Sequence, residues 1–204
     1  MIPLLKLPAR RVYYVPRTAP AVFYLADDEG GGVLINAPPF SPALDARLKS
    51  VTPARYIFIP SRFGARHGAA WREAGAKIIA YREELAGCQV VVDVALDRGW
   101  RFSRTIDFLP MGGRTAYTCA LRCKAKPAIL FLGPALSRVA SGWPSLEPQP
   151  DDHSYENRLI GAVGLRDLRY DYAFTDDFDP VKSRYGPGAD RGIRRELDRA
   201  LQPG

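Results

Sequence analysis

Residues 57–70, Ile-Phe-Ile-Pro-Ser-Arg-Phe-Gly-Ala-Arg-His-Gly-Ala-Ala, constrain the fold of this chain more than any other stretch. An apolar β-type run ends at Pro60. A short polar loop follows, and a helix-like segment opens at Gly68, Ala69, Ala70 and Trp71. A strand that passes through a loop into a helix is a junction at which α/β proteins place their chemistry.

The remaining elements follow from local pattern. Residues 11–15, 21–26 and 33–36 are β-branched and aromatic and read as strands. The acidic and glycine turn Asp27-Asp28-Glu29-Gly30-Gly31-Gly32 joins the last two, so an antiparallel meander opens the chain. Ser41 is placed to cap a helix with Pro42 at its first position, running to about Lys49 with Leu44 and Leu48 on one face. A buried strand is expected over 54–59, a helix around 69–74, a short strand over 77–80 and a helical turn over 82–85. Residues 89–95, 101–109, 116–122 and 128–132 read as β, and 141–151 as loop. An amphipathic helix over 154–168, a strand over 172–174 and a charged helix over 189–201 complete the pattern. In that last helix Ile193, Leu197 and Leu201 share a face. This order suits two sheets packed face to face with helices outside.

The 204 residues fit one domain, and 47% hydrophobic with 25% charged residues is ordinary globular composition. No apolar run approaches the ~18 residues of a membrane span. Met1–Pro8 carries two prolines and no long apolar centre, a poor signal peptide, so a cytoplasmic location is the expectation. The net charge of +7 comes mostly from arginines, which read as scattered along the sequence. No nucleic-acid reading motif accompanies them, which argues against nucleic acid as a partner. Cys88, Cys119 and Cys123 are read as reduced thiols. Cys119 and Cys123 sit four apart on an expected strand, too far along one face for a disulfide.

Five segments, in order, resemble landmarks of the metallo-β-lactamase superfamily. Gly32-Val33-Leu34-Ile35-Asn36 resembles an early strand that usually ends in Asp, with Asn36 at that place. Residues 57–70 resemble the His-x-His-x-Asp-His loop, with Ser61, Phe63, Ala65 and Arg66 at the ligand positions and His67 beyond them. Leu109–Thr115 resembles a Pro-Gly-His-Thr turn, with Arg114 at the His. Leu130–Leu136 resembles a strand ending in Gly-Asp, with Pro134 at the bridging Asp. Phe174–Asp177 resembles a Gly-His-Gly loop, with Asp176 at the His.

The resemblance implies an α/β fold, a four-layer αββα sandwich, over residues 1–204 as a single domain. It points to small bacterial members with degenerate metal sites. Zinc needs imidazole, thiolate or carboxylate donors. Arg66 and Arg114 cannot deprotonate, and Phe63 and Ala65 offer no donor atom, so no metal and no cofactor is expected. If the fold holds, Arg66, Arg114 and Asp176, with Asn36, converge where the family's metals sit. Two outcomes stay open: the guanidiniums bind a small anionic ligand, or Asp176 pairs with them in a structural ion pair. The favoured function is a non-catalytic or metal-independent protein that takes a small anion or a partner in this remodelled pocket. The alternative is a metal-independent hydrolase of an ester, thioester or lactone, with Ser61, His67 or Asp176 as its catalytic groups. Asp151, Asp152 and His153 read as a solvated loop rather than a metal cluster, and Asp27–Glu29 as a hairpin tip. Tyr13, Tyr14 and Tyr24 read as sheet residues.

Overall fold

The N-terminal strands pair as the turn chemistry requires. In the computed structural model, which describes residues 1–97, 102–140 and 142–202, the chain divides into two compact units, Met1–Ser103 and Arg104–Gly204. The first unit carries a seven-stranded sheet whose strands lie in chain order: β1 (Ile2–Leu7), β2 (Arg10–Val15), β3 (Val22–Asp27), β4 (Gly31–Ile35), β5 (Ala54–Ile59), β6 (Lys77–Tyr81) and β7 (Val94–Leu96). β1 to β4 form the antiparallel meander, and β4 to β7 are parallel. Asp27 organises the β3–β4 hairpin. Its Oδ1 accepts the backbone N–H groups of Glu29 and Gly30 at 3.1 and 2.7 Å, while its Oδ2 accepts from the buried Arg10 across the β2–β3 pair.

Parallel strands need crossovers; two helices supply the first two, and a 3₁₀ segment over Arg82–Gly87 supplies the one from β6 to β7. α1 (Pro42–Lys49) begins where Ser41 Oγ accepts the Leu44 N–H at 3.2 Å, with Pro42 at its start. Asp45 in its first turn and Arg47 and Lys49 in its last complement the helix dipole. α2 (Gly68–Glu73) follows the 57–70 junction. Leu48 and Trp71 bring these helices onto one apolar cluster with Tyr24, Leu34, Ile57, Ile59 and Ile78. The alternate positions Phe23, Leu25, Val33, Ile35, Phe58 and Ile79 are buried as well, so the central strands are apolar almost throughout.

The second unit carries a four-stranded sheet in the order β11 (Tyr172–Thr175), β10 (Ile129–Gly133), β9 (Thr118–Cys123), β8 (Ile106–Met111). The β10–β11 pair is parallel and the other two are antiparallel. The crossover from β10 to β11 contains α3 (Tyr155–Val163), capped by Ser154, whose Oγ accepts from the Asn157 N–H at 3.2 Å. α4 (Ala189–Ala200) closes the chain. Its Ile193 and Leu197 join Leu130, Leu132, Trp143, Leu165 and Tyr170 in the unit's core.

Several expectations change. Residues 2–7 form an edge strand that the prolines had masked; Pro3 is tolerated there because an edge strand has unpaired positions. The expected strand over 89–95 shrinks to β7. Asp93 takes the place of a ladder residue: its N–H donates to Ile78 O at 3.0 Å and its carboxylate accepts the Ile78 N–H at 2.9 Å. The strand expected over 101–109 starts at Ile106; Arg101 lies outside the described residues, as does Ser141 of the expected loop. The helix expected over 154–168 ends at Val163 and tightens to a 3₁₀ turn over Gly164–Asp167. Leu201 is 36% exposed and stands off the face made by Ile193 and Leu197.

No helix of the described residues is long and apolar enough to cross a membrane.

Candidate functional site

In the first unit, Asn36 follows β4 and is fully buried, with φ of +66°, a left-handed backbone that Asn tolerates better than most residues. Its N–H donates to Phe58 O at 2.9 Å and its Nδ2 to Ala21 O at 2.8 Å. The 61–66 loop lies against it. Ala37 N–H donates to Gly64 O at 2.9 Å, and a Cβ on Gly64 would stand 1.8 Å from Asn36 Oδ1. Asn36 and the loop therefore meet at Gly64.

Within the loop, Ser61 starts a 3₁₀ turn over Arg62–Gly64 and is fully buried. Its Oγ has no hydrogen-bond partner among the described residues, and so none from His67. Ala65 is buried as well. Arg62 turns outward, and its backbone N–H donates to the carboxylate of buried Glu84 at 2.8 Å. Exposed Arg66 and half-buried His67 line an open cleft of about 410 Å³ with Pro39, Phe40, Ala69 and Ala70. No ion pair of Arg66 occurs among the described residues.

In the second unit, the turn after β8 rests on the start of α3. Ser154 N–H donates to Gly113 O at 2.9 Å, and Gly113, with φ of +113°, lies so close to Arg158 that a Cβ would come within 2.2 Å of its backbone nitrogen. Arg114, whose side chain is 15% exposed, reaches Asp151 at 2.8 Å and Asp152 at 3.6 Å. Asp152 pairs in turn with Arg158 at 3.0 Å. The Arg158 side chain is only 1% exposed; it also donates to Ala135 O at 2.8 Å, Glu147 O at 2.7 Å and Ser137 Oγ at 3.2 Å. Arg114 and Arg158 thus flank one pair of carboxylates, and Arg158 ties that arrangement to the segment after β10 that contains Pro134. The segment after β11 joins the same end, where Asp176 N–H donates to Gly133 O at 2.9 Å. Three landmark segments of the second unit, around residues 114, 134 and 176, are therefore linked.

This corrects the reading of Asp151–His153. Asp151 and His153 are exposed, but the Asp152 side chain is 5% exposed and fixed between two guanidiniums. The guanidinium at Arg114 holds the Asp151 carboxyl below the usual carboxylate range. Sequence reasoning missed Arg158. Its signal was spacing: Arg158 and Ala162 sit four apart on α3, and both are buried. Asp177, also overlooked, accepts from Arg138 N–H at 2.7 Å and from Thr175 Oγ1 at 2.6 Å.

Among the described residues, no three His, Cys, Asp or Glu side chains come together as a metal-holding group. The zinc that the resemblance implies does not fit the donors at its positions. They are a buried hydroxyl at Ser61, apolar side chains at Phe63, Ala65 and Pro134, cations at Arg66 and Arg114, and a single carboxylate at Asp176, too few donors for a zinc site. Cys88, Cys119 and Cys123 are free thiols, and burial raises those of Cys88 and Cys119.

A seven-stranded sheet with α1 and α2, a four-stranded sheet with α3 and α4, and loops of this order at the strand ends define an α/β protein of the metallo-β-lactamase fold. The chain superposes on a metallo-β-lactamase from Pontibacter korlensis at 15% identity, covering 98% of this chain and 96% of that one, with a TM-score of 0.69. A metallo-β-lactamase family protein from Thermus thermophilus matches at 14% identity over 95% of this chain and 78% of that one, with a TM-score of 0.70. A metallo-β-lactamase from Pseudomonas aeruginosa in a mono-zinc form matches at 12% identity over 98% and 96%, with a TM-score of 0.68. No protein-family model matches the sequence, and no curated protein matches it. At these identities the likeness is one of fold.

Proposed function

We propose that residues 1–204 act as one domain, a metal-independent and non-catalytic member of this fold, whose remodelled strand-end loops bind a small anionic ligand through Arg66 and Arg114, with Asn36 and Asp176 shaping the site. The observation that carries this reading is the state of Arg114. Its side chain is 15% exposed, and its nearest carboxylate belongs to Asp151, a loop residue whose side chain is 65% exposed. A carboxylate or phosphate of a ligand can take the place of this partner, because the Asp151 side chain is largely in solvent and free to move away while the guanidinium keeps an anionic neighbour. Planar guanidinium groups suit either anion by paired hydrogen bonds. Metal-dependent hydrolysis is not part of this reading, because the ligand positions offer zinc no good donor beyond the one carboxylate of Asp176. The hydrolase alternative through Ser61 is weakened by the full burial of that hydroxyl and the lack of a bond from His67.

The test is calorimetric titration of the purified protein with citrate and with inorganic phosphate, beside elemental analysis. Saturable binding of citrate is expected, abolished in Arg114→Ala, weakened in Arg66→Ala and strengthened in Asp151→Asn, which removes the internal competitor; the part of phosphate binding that belongs to this site follows the same order. One bound metal per chain that survives mild chelation would overturn the reading. So would the absence of binding in both the parent protein and Asp151→Asn.

A further inference from the structure

Outside the loops just described, the second unit gathers arginines that lie apart in the sequence. Arg184, Arg191, Arg194 and Arg195 line one cleft of about 590 Å³ at the start of α4, and Trp143 forms part of its wall. This amends the reading of the arginines as scattered: Arg191, Arg194 and Arg195 fall three and four apart on one helix face, and the chain before α4 adds Arg184.

Three observations set this cleft apart from an ordinary solvated face. First, none of the four guanidiniums has a carboxylate partner among the described residues. The bonds that Arg194 and Arg195 make go to backbone carbonyls, Arg166 O and Arg191 O. The acids nearby are engaged elsewhere: Asp190 with Arg169, Asp198 with Arg166 and Glu196 with Arg199. Second, the wall is built. Trp143 is 6% exposed and lies so close to α4 that a Cβ on Gly192 would come within 2.2 Å of its indole, while the Arg184 guanidinium stacks 4.7 Å from a ring centroid. Third, the Trp143 Nε1–H is buried and has no hydrogen-bond partner among the described residues. Four like charges at one mouth repel one another, and no carboxylate among the described residues forms an ion pair with any of them.

We propose that this cleft binds a compact polyphosphate group, two or more phosphoryl units borne by a small molecule. Arginine matches phosphate oxygens by paired hydrogen bonds, and the N-terminal end of α4 adds a favourable dipole. The size of the cleft falls in the range of small-molecule sites. Three guanidiniums within a single helical turn match adjacent phosphoryl groups better than phosphates spread along a polymer.

The experiment is calorimetric titration of the full chain with pyrophosphate and with ADP at low ionic strength. The double variant Arg191→Gln/Arg195→Gln is compared with Arg47→Gln/Lys49→Gln, an equal charge change outside the cleft. One-to-one pyrophosphate binding is expected, at least tenfold weaker in the first variant and within twofold of the parent in the second. ADP binding more tightly than pyrophosphate assigns a nucleotide; equal affinity assigns bare phosphoryl groups. Both pairs losing affinity equally would overturn the proposal by making the effect one of net charge. Absence of saturable pyrophosphate binding, or its loss in Arg114→Ala, which belongs to the other site, would overturn it as well. So would an RNA oligonucleotide that binds through Arg191 and Arg195 where pyrophosphate does not. Unchanged thermal melting of the double variant shows that any loss is not one of folding.

Discussion

Arg158→Met isolates the inner arm of the Arg114–Asp152–Arg158 arrangement. Methionine keeps an unbranched stem of similar length and removes every donor. Arg158 is 1% exposed on its side chain and Asp152 is 5% exposed, so solvent cannot replace the lost partner. Removing one member of a buried ion pair costs roughly 3–5 kcal/mol. The carbonyls of Ala135 and Glu147 lose donors too, at 2.8 and 2.7 Å. Each buried acceptor left without a partner costs about 1–3 kcal/mol. Acting the other way, Asp152 keeps Arg114 at 3.6 Å, which holds its charge partly compensated. A net loss of about 4 kcal/mol is a large share of the ~5–15 kcal/mol that holds a typical domain folded. With a urea dependence of about 2 kcal/mol per molar, the unfolding midpoint should fall by roughly 2 M. The assay is urea unfolding followed by far-ultraviolet circular dichroism. Two companion variants sharpen it. Asp152→Asn added to Arg158→Met should recover part of the loss, because no charge is then stranded. Asp151→Asn, at the exposed end of the same arrangement, should leave the midpoint nearly unchanged. A midpoint shift in Arg158→Met no larger than that in Asp151→Asn would refute the argument that burial makes this pair matter.

Three further outcomes follow from particular contacts. Gly64→Ala places a methyl 1.8 Å from Asn36 Oδ1 and should cost about 1–3 kcal/mol of stability, whereas Gly164→Ala, with nothing within 4 Å, should be neutral or stabilising; equal effects on denaturation would show that the Asn36 contact does not constrain the loop. The Cys88 thiol, pushed up to about 11 by burial and then by the charge of Glu84, should react with iodoacetamide at pH 8 on the order of 100-fold more slowly than a free thiol. Glu84→Gln should quicken that reaction, and a parent rate equal to that of free cysteine would contradict it. Asp93 is held below the usual carboxylate range mainly by its hydrogen bond from Arg72, so its contribution is present above the unfolded value near pH 4 and is lost as pH falls through the folded value. Asp93→Asn should flatten the acid side of the stability profile measured by urea unfolding between about pH 5 and pH 2, and an unchanged slope would argue against it.

The sequence alone determined the parts of this protein that rest on contacts between near neighbours. Ser41 and Pro42 start α1 because a cap and a preset φ act within one helical turn. Asp27 to Gly31 turn the chain because a carboxylate can reach N–H groups two and three residues on. The apolar run over 54–59 is the interior strand β5, and the five landmarks in order carried the fold, because a buried strand followed by a loop and a small-residue helix start is a local pattern. What lay beyond it depended on distance in sequence. Ile2–Leu7 forms a strand only because β2 offers an edge to pair with. Arg158, on a helix that reads as amphipathic, lies on the buried face because Asp152 and the carbonyls of Ala135 and Glu147 satisfy its donors, and those partners come from a loop and from the end of another strand. Asp152 and His153 are adjacent in sequence, yet one is fixed between two cations and the other is in solvent. The arginines of α4 become a cleft only when Trp143 and Arg184, 41 residues apart, are brought to the helix start. Local rules set where elements begin and end; the environment of a charge is set by groups that tertiary packing brings to it, and that environment decides whether an arginine is structural, displaceable or open to a ligand.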